Sequence, residues 1–373
     1  MKHLPIGIQA FRRIIEENRV YVDKTETIFK LFSEGGRYYF LSRPRRFGKS
    51  LLISTLKEIF LGNRELFKGL WIYDKISWEP YPVIHIDFTL INYESPAELK
   101  ASLERRIQKM ASTFGLTLNQ ENSYQEKFIE LIEKVSIQGK VVILIDEYDK
   151  PVIDHIENLE IATANREILK NFYSIFKGLD EYIQFVLITG VTKFSHVSVF
   201  SGLNNLSDIT ISNKYSTLLG YTEEELQHYF NDRIEDFSKS EHIEKELLLQ
   251  MIKKMYNGYS WDGTHFVYNP HSILNLFDQK SFNNYWFTSA TPTFLINQIR
   301  KHSIPLEDFE NYEADGTIFE FYDVDRINVS SLLFQTGYLT IKRIEKISLT
   351  SRLYYLSYPN MEVKESFLQY LRS

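Results

Sequence analysis

Two segments carry residues whose types and order amount to a chemistry: Phe40-Leu-Ser-Arg-Pro-Arg-Arg-Phe-Gly-Lys-Ser50 and Val141-Val-Ile-Leu-Ile-Asp-Glu147. The first runs a strand-like stretch into Gly48-Lys49-Ser50 and then into helix-spaced apolar residues; the second is an apolar run ending in two acids. A strand-to-helix turn aims backbone N–H groups and the positive end of the helix at phosphate. Lys49 would then reach the β- and γ-phosphates of a nucleotide, and the Ser50 hydroxyl would ligate Mg²⁺. Gly48 lets the backbone pass close to the ligand. At the end of the second strand, Asp146 would hold Mg²⁺, directly or through water, and Glu147 would polarise a water for attack on the last phosphate. Alone, Gly-Lys-Ser is a common turn and Asp-Glu an ordinary solvated strand end. Found together and in this order, they imply hydrolysis of a Mg²⁺-nucleoside triphosphate.

The full phosphate-loop pattern GxxxxGK[ST] asks for glycine at position 43, where this chain has Arg43. Pro44 offers a substitute, because a residue before proline is held extended. The nucleotide-binding set is therefore Arg43, Pro44, Arg45, Arg46, Phe47, Gly48, Lys49, Ser50 and Leu51. For Arg45 and Arg46 two readings stay open: contact with phosphate or transition-state charge, or solvated side chains paired with acids elsewhere. Asp149 reads as the cap of a helix opening at Lys150-Pro151.

These residues need a sheet to hold them. Strands are expected at 37–42, 83–88, 141–146, 183–189 and 208–211, with helices at 26–33, 51–61, 96–114, 123–136 and 153–178. Such alternation makes an α/β protein with a parallel sheet covered by helices on both faces. A whole strand, 83–88, separates the lysine motif from the acidic motif in sequence. In P-loop folds of the additional-strand, catalytic-glutamate type, another strand separates those two in space, and the strand after the acidic one carries a polar γ-phosphate sensor. Thr189 of Gln184-Phe-Val-Leu-Ile-Thr189 takes that place, or is a plain strand terminus. The catalytic set is thus Glu147, Lys49 and Thr189, and the metal set Ser50 and Asp146.

Beyond about 215 the pattern turns helical. Thr222-Glu-Glu-Glu225 is a capping box, with helices through 237, from 241 to 256, from 269 to 277 and from 293 to 301, and a turn-rich break at 257–263. The final stretch reads as helix (330–340), hairpin (341–344 with 353–358) and helix (362–371), part of a winged-helix module. The expected division is a P-loop domain over 1–215, a helical lid domain over 216–325 and the winged-helix-like module over 326–373.

Composition narrows the function classes. The 43 Lys+Arg against 49 Asp+Glu give a net charge of −6, which disfavours a globally basic nucleic-acid binder while leaving a local patch open. Without cysteine there are no disulfides, zinc thiolates or thiol catalysis. The nine histidines are scattered with no HExxH. No signal-peptide-like or membrane-length apolar run is present, so a cytoplasmic protein without membrane contact is expected.

Arg43-Pro-Arg-Arg-Phe-Gly-Lys-Ser50, Tyr21-Val-Asp-Lys-Thr25, Leu144-Ile-Asp-Glu-Tyr-Asp-Lys-Pro151, Ile188-Thr-Gly190 and Phe200-Ser-Gly-Leu-Asn-Asn-Leu206 together resemble the prokaryotic AAA-ATPase-like family, near the STAND-type and archaeal-type P-loop ATPases. The resemblance covers about residues 4 to 300, with Tyr256-Asn-Gly-Tyr259, Asn269-Pro270 and Tyr285-Trp286 resembling the family's helical region. It implies that Arg43 is the family's own loop variant and that the nucleotide is ATP with Mg²⁺. Tyr21, Asp23, Lys24 and Thr25 precede the first strand, where an adenine-contacting segment often lies; Asp23 reads equally as a helix cap. Many relatives carry a C-terminal PD-(D/E)XK nuclease. Glu362-Val-Lys364 spells ExK, but it sits in a helical pattern without a preceding strand aspartate and reads as chance, so nuclease activity is not expected. The expected partners are ATP, with an unidentified protein or self-association and DNA left open. Lys193 and Arg166 are candidate auxiliary cations. Three functions follow in order: an ATP-hydrolysing enzyme, a slow nucleotide-dependent switch, and a DNA-associated ATPase.

Overall fold

The computed structural model describes residues 1–193, 199–200, 203, 205–290, 309–319 and 328–372. Its centre is a parallel sheet of β1 (Tyr38–Ser42), β2 (Val83–Asp87), β3 (Val141–Asp146), β4 (Ile183–Gly190) and β5 (Ser207–Asp208), in the order β2-β3-β4-β1-β5. Strand β4 lies between β1 and β3, pairing Leu41 with Thr189 on one side and Ile145 with Ile188 on the other. The Gly-Lys-Ser strand and the acidic strand are thus separated in space by one strand, the expected arrangement. The fold is an α/β P-loop sheet followed by a helical region.

Alternation along β3 shows why it is apolar throughout. Val141, Ile143 and Ile145 enter one core, Val142 and Leu144 the other, as period-two side chains of a strand covered on both faces must. Leu52, Ile53, Leu56 and Ile59 of the helix Lys49–Phe60 cover one face. The helices Pro96–Thr113, Tyr124–Ser136 and Leu159–Ser174 cover the other.

The helices Glu223–Glu241, Lys245–Tyr256 and Pro270–Gln279 form a third core around Phe230, Ile234, Ile252 and Phe277, with Val22 contributed by the N-terminal segment. Thr222 and Glu225 make the expected capping box. A two-stranded ribbon, β6 (Asn257–Tyr259) with β7 (Val267–Tyr268), falls within and after the expected turn-rich break. Strand β8 (Tyr312–Ala314) was not expected; it pairs with β10 (Arg352–Ser357), which pairs with β9 (Thr340–Lys346). The helix Val329–Thr336 precedes this hairpin and the helix Met361–Arg372 follows it. Leu332, Phe334, Leu356 and Phe367 share the core of one sheet face, so this segment packs on the P-loop sheet.

Several boundaries differ from expectation for local reasons. The single helix over 153–178 is two, Lys150–Ile153 and Leu159–Ser174, because Asn158 caps a fresh start by accepting from the Ile161 N–H. The helix expected to run to 340 ends at Thr336, where Gly337 turns left-handed at φ 92°. Strand β5 is only two residues long, since the Ser42 N–H goes to the Thr210 hydroxyl at 3.0 Å instead of a ladder carbonyl. The helix expected at 293–301 lies outside the described residues.

Candidate functional site

Strand β1 ends in the loop 43–48, and the following helix opens at Lys49. Two loop residues are left-handed, Arg46 at φ 67° and Gly48 at φ 93°. Gly48 takes this without strain, and a Cβ there would meet nothing within 4 Å, so its glycine answers to φ alone. Arg46 is an exposed arginine held in a conformation costing roughly 1–2 kcal/mol, the kind of strain that concentrates at ligand sites. Glu147, just past β3, is likewise left-handed at φ 53°.

The Lys49 ammonium is buried and donates to the Arg43 and Pro44 carbonyl oxygens, both at 2.9 Å. The lysine therefore closes the loop on itself. Burial lowers its pKa, while the nearby Glu147, Asp146 and Asp149 carboxylates push it back up. Burial raises the Glu147 pKa, opposed by Lys49. Both shifts come from burial, and the cation and the anion interact within one cleft.

Asp146 is 3% exposed. Its Oδ1 accepts from the Thr189 hydroxyl at 2.6 Å and from the Glu147 N–H at 3.1 Å. Thr189 is fully buried and turned onto this carboxylate, so its hydroxyl is a partner of Asp146, not a side chain open to the cleft. The expected cap at Asp149 is also corrected. Asp149 begins the short helix without capping it; its Oδ2 accepts from the Val191 and Thr192 N–H groups and the Thr192 hydroxyl at 2.6–3.0 Å. It staples the end of β3 to the end of β4.

A cavity of about 350 Å³ opens at this edge of the sheet. Arg45, Arg46, Gly48, Lys49, Ser50, Leu51 and Glu147 line it, so most of the expected set meets in one place. Lys150 also lines it, as do Tyr221, Pro270, His271 and Leu274 from the helical region and Pro5, Gly7, Ile8 and Gln9 from the N-terminus. No local pattern in the sequence points to these. An adjoining narrow apolar cleft of about 70 Å³ shares Gly48, Leu51, Tyr221 and Pro270 and adds Tyr21, Val22, Phe47, Leu218 and Leu219. A larger cavity, about 480 Å³, lies elsewhere, near Lys253, His265 and Lys342; chemistry and not size selects the site.

Arg43 and Pro44 depart from expectation. The Arg43 side chain is fully buried away from the cavity, donating to the Ser42 and Thr210 carbonyls at 2.8 Å and the Tyr215 carbonyl at 3.4 Å, and lying 3.9 Å over the Trp261 ring. Burial lowers its pKa and Asp208 and Asp262 raise it; a guanidinium stays charged there. Pro44 faces Gly337. Both contribute only backbone to the loop. Arg45 pairs loosely with Asp154 at 3.8 Å, and Arg46 has no ion pair with a described residue. Lys193 is paired with Asp208 at 2.7 Å and Arg166 with Glu167 at 3.4 Å, so neither is placed as a free cation. Asp23 accepts from the N–H and hydroxyl of Thr25 with one oxygen and from the Trp71 N–H with the other, and Lys24 bridges to Glu225 and the Thr217 carbonyl; both tie the N-terminal segment to its neighbours.

A family profile described as Predicted AAA-ATPase, the AAA-ATPase-like family, matches residues 5–200. Over 369 residues the chain is 40% identical to an uncharacterised protein from the vnfD 5′ region of Azotobacter chroococcum mcd 1, covering 98% of this chain and 69% of that protein. The chain belongs to the predicted AAA-ATPase family. As a member of the AAA-ATPase-like family it is, at that level, a nucleotide-binding P-loop protein of the ATPase kind. The solved structure of the Aeropyrum pernix ORC1 protein in complex with DNA aligns over 96% of each chain at 12% identity and a TM-score of 0.32, a match too loose to add to the topology above. Among the described residues no helix is long and apolar enough to cross a membrane.

Proposed function

We propose that the chain binds MgATP in the 350 Å³ cavity and hydrolyses its terminal anhydride. The observation that carries this reading is that Lys49, Ser50 and Glu147, nearly a hundred residues apart in sequence, line one cleft at the mouth of a parallel sheet. Phosphate would enter where Lys49 now bonds its own loop, so that the ammonium exchanges the Arg43 and Pro44 carbonyls for phosphate oxygens. Glu147 would take a proton from the attacking water as the bond from the γ-phosphorus to the ADP oxygen breaks, yielding ADP and phosphate. Its raised pKa suits a base that must hold that proton. The adjoining apolar cleft would receive the base, its adenine preference resting on the family.

The fit of Mg²⁺ follows from the donor set. Asp146 Oδ2 and the Ser50 hydroxyl have no hydrogen-bond partner among the described residues, and both are hard oxygen ligands of the kind Mg²⁺ prefers. No group of three or more His, Asp or Glu among the described residues could hold a metal unaided, so the ion would arrive with its nucleotide. Bound there, Mg²⁺ would neutralise charge on the phosphates. Thr189 would keep Asp146 aimed, and Arg45 and Arg46 would stand at the cavity lip.

The test is MgATP binding and steady-state phosphate release by the wild type, Lys49→Ala and Glu147→Gln. Lys49→Ala should lose binding, and Glu147→Gln should bind without turnover. A wild type that binds no nucleotide overturns the proposal and leaves a P-loop fold kept as scaffold.

A further inference from the structure

The loop's outer side is held by residues far along the chain. Trp261 stacks on Arg43, and Tyr259 and Trp261 pack edge-on against Phe47 with ring centroids 4.7 and 5.4 Å away. Pro44 lies against Gly337 so closely that a Cβ there would sit 2.8 Å from the proline ring carbons. Trp286 is fully buried and donates its indole N–H to the Arg45 carbonyl at 3.0 Å. Trp286 is in turn fixed by its backbone N–H, which donates to Glu362 at 2.7 Å; the Ser272 hydroxyl donates to the other Glu362 oxygen at 2.8 Å. Glu362 belongs to the C-terminal helix Met361–Arg372. A continuous path of contacts thus runs from that helix to the phosphate loop.

The three consecutive carbonyls of the loop are shared between two holders, Lys49 taking Arg43 and Pro44 and Trp286 taking Arg45. When phosphate draws Lys49 away, the Trp286 bond is what still holds one of these three carbonyls, beside the packing of Gly337 on Pro44 and of Tyr259 and Trp261 on Phe47 and Arg43. Their contribution is therefore larger with nucleotide bound than without, and a contact of unequal strength in two states couples the events on either side of it.

We propose that Trp286 is a positioning residue for the phosphate loop, through which nucleotide occupancy and the packing of segment 329–372 are coupled. The inference rests on the nucleotide site proposed above. Trp286→Phe removes the donor while keeping an aromatic ring against Tyr259 and Tyr338, at the cost of the space filled by the second ring of the indole. It should raise the KM for MgATP by up to about tenfold, the ceiling set by one buried hydrogen bond to a carbonyl, since only the part of that bond gained on nucleotide binding counts, and leave kcat nearly unchanged. The reciprocal effect is read on the whole chain by hydrogen exchange. In the wild type, amides of 329–336 and 361–369 should exchange several-fold more slowly with a non-hydrolysable MgATP analogue, and in Trp286→Phe that response should be lost. Gly337→Ala, which drives a methyl into Pro44, should act in the same direction. If exchange in 329–372 ignores nucleotide in the wild type, the coupling is refuted whether or not the variants fold. If Trp286→Phe keeps both the wild-type KM and the exchange response, the role of Trp286 is refuted. Failure of the nucleotide site itself is distinct: the wild type would then bind no analogue, or Lys49→Ala would bind it equally well.

Discussion

Arg43 occupies the place where a phosphate-loop pattern has glycine, and its substitution separates two accounts of the loop. In the structure its guanidinium lines neither the nucleotide cavity nor the adjoining cleft; it satisfies two carbonyls at 2.8 Å and a third at 3.4 Å, all buried, and stacks on Trp261 at 3.9 Å. Arg43→Ala strands those carbonyls, at about 1–3 kcal/mol each for the two short bonds. It also removes a desolvated cation–π contact of about 2 kcal/mol. Relief from burying a charge offsets part of this, leaving a net loss of about 3–5 kcal/mol, within the range seen when one partner of a buried charged cluster is removed. With an m-value of at least about 3 kcal/mol/M for a chain of this size, the urea midpoint should fall by up to about 1.5 M, followed by tryptophan fluorescence because Trp261 is the stacking partner. Below its transition, Arg43→Ala should still bind MgATP far better than Lys49→Ala, since the Arg43 carbonyl stays in place. An unchanged midpoint with nucleotide affinity lost as completely as in Lys49→Ala would refute the reasoning and make Arg43 a phosphate ligand.

Three further outcomes are expected. Burial raises the Glu147 pKa, so the acidic limb of the kcat–pH profile should lie above the ordinary glutamate range near 4.5, and phosphate release across pH 4–8 checks it. Thr189→Val removes the 2.6 Å bond to Asp146, a charge-assisted bond of about 1.5–3 kcal/mol; kcat should fall about 10–100-fold with a higher Mg²⁺ requirement, and Thr189→Ser should recover most of it. Glu362 has its pKa pushed up to about 7 from 4.5 by burial, against the bonds from Trp286 and Ser272. The folded state therefore binds a proton that the unfolded chain has lost between pH 4.5 and 7. Wild-type stability should decline through that window by up to about 3 kcal/mol, and Glu362→Gln should flatten this part of the urea-midpoint profile.

What the sequence discloses and what it hides divide along a physical line. Strand positions, the two motifs and the capping box at Thr222 and Glu225 are written in local pattern: period-two burial, a glycine that φ demands, a side chain that caps its own helix. Lys49, Ser50 and Glu147 could be placed in one cleft because a parallel sheet delivers its strand ends to one edge. The directions of Arg43, Asp149 and Thr189 could not be read, because each is decided by partners distant in sequence: Trp261 and Thr210, Thr192, and Asp146. The same holds for Tyr221, Pro270 and His271 in the cavity wall.

The missing glycine also bears on where the functional unit ends. The left-handed positions of this loop are 46 and 48, not 43, so no backbone requirement keeps a side chain off position 43. Its side chain is free to serve as an anchor, provided that Thr210, Tyr215 and Trp261 are there to receive it. Of these, Trp261 lies beyond the boundary near 215 drawn from the sequence, as do Tyr259, Trp286 and Gly337, which hold Phe47, Arg45 and Pro44. A chain ending near 215 would keep every motif residue yet leave Phe47 and the Arg43 guanidinium without their covering rings. We expect such a truncation to lose MgATP binding as completely as Lys49→Ala, measured by titration with a fluorescent ATP analogue. A truncated chain that folds and binds with wild-type affinity would show that the sheet and its motifs make the site alone, and that the aromatic backing of the loop serves only to seat the C-terminal segment.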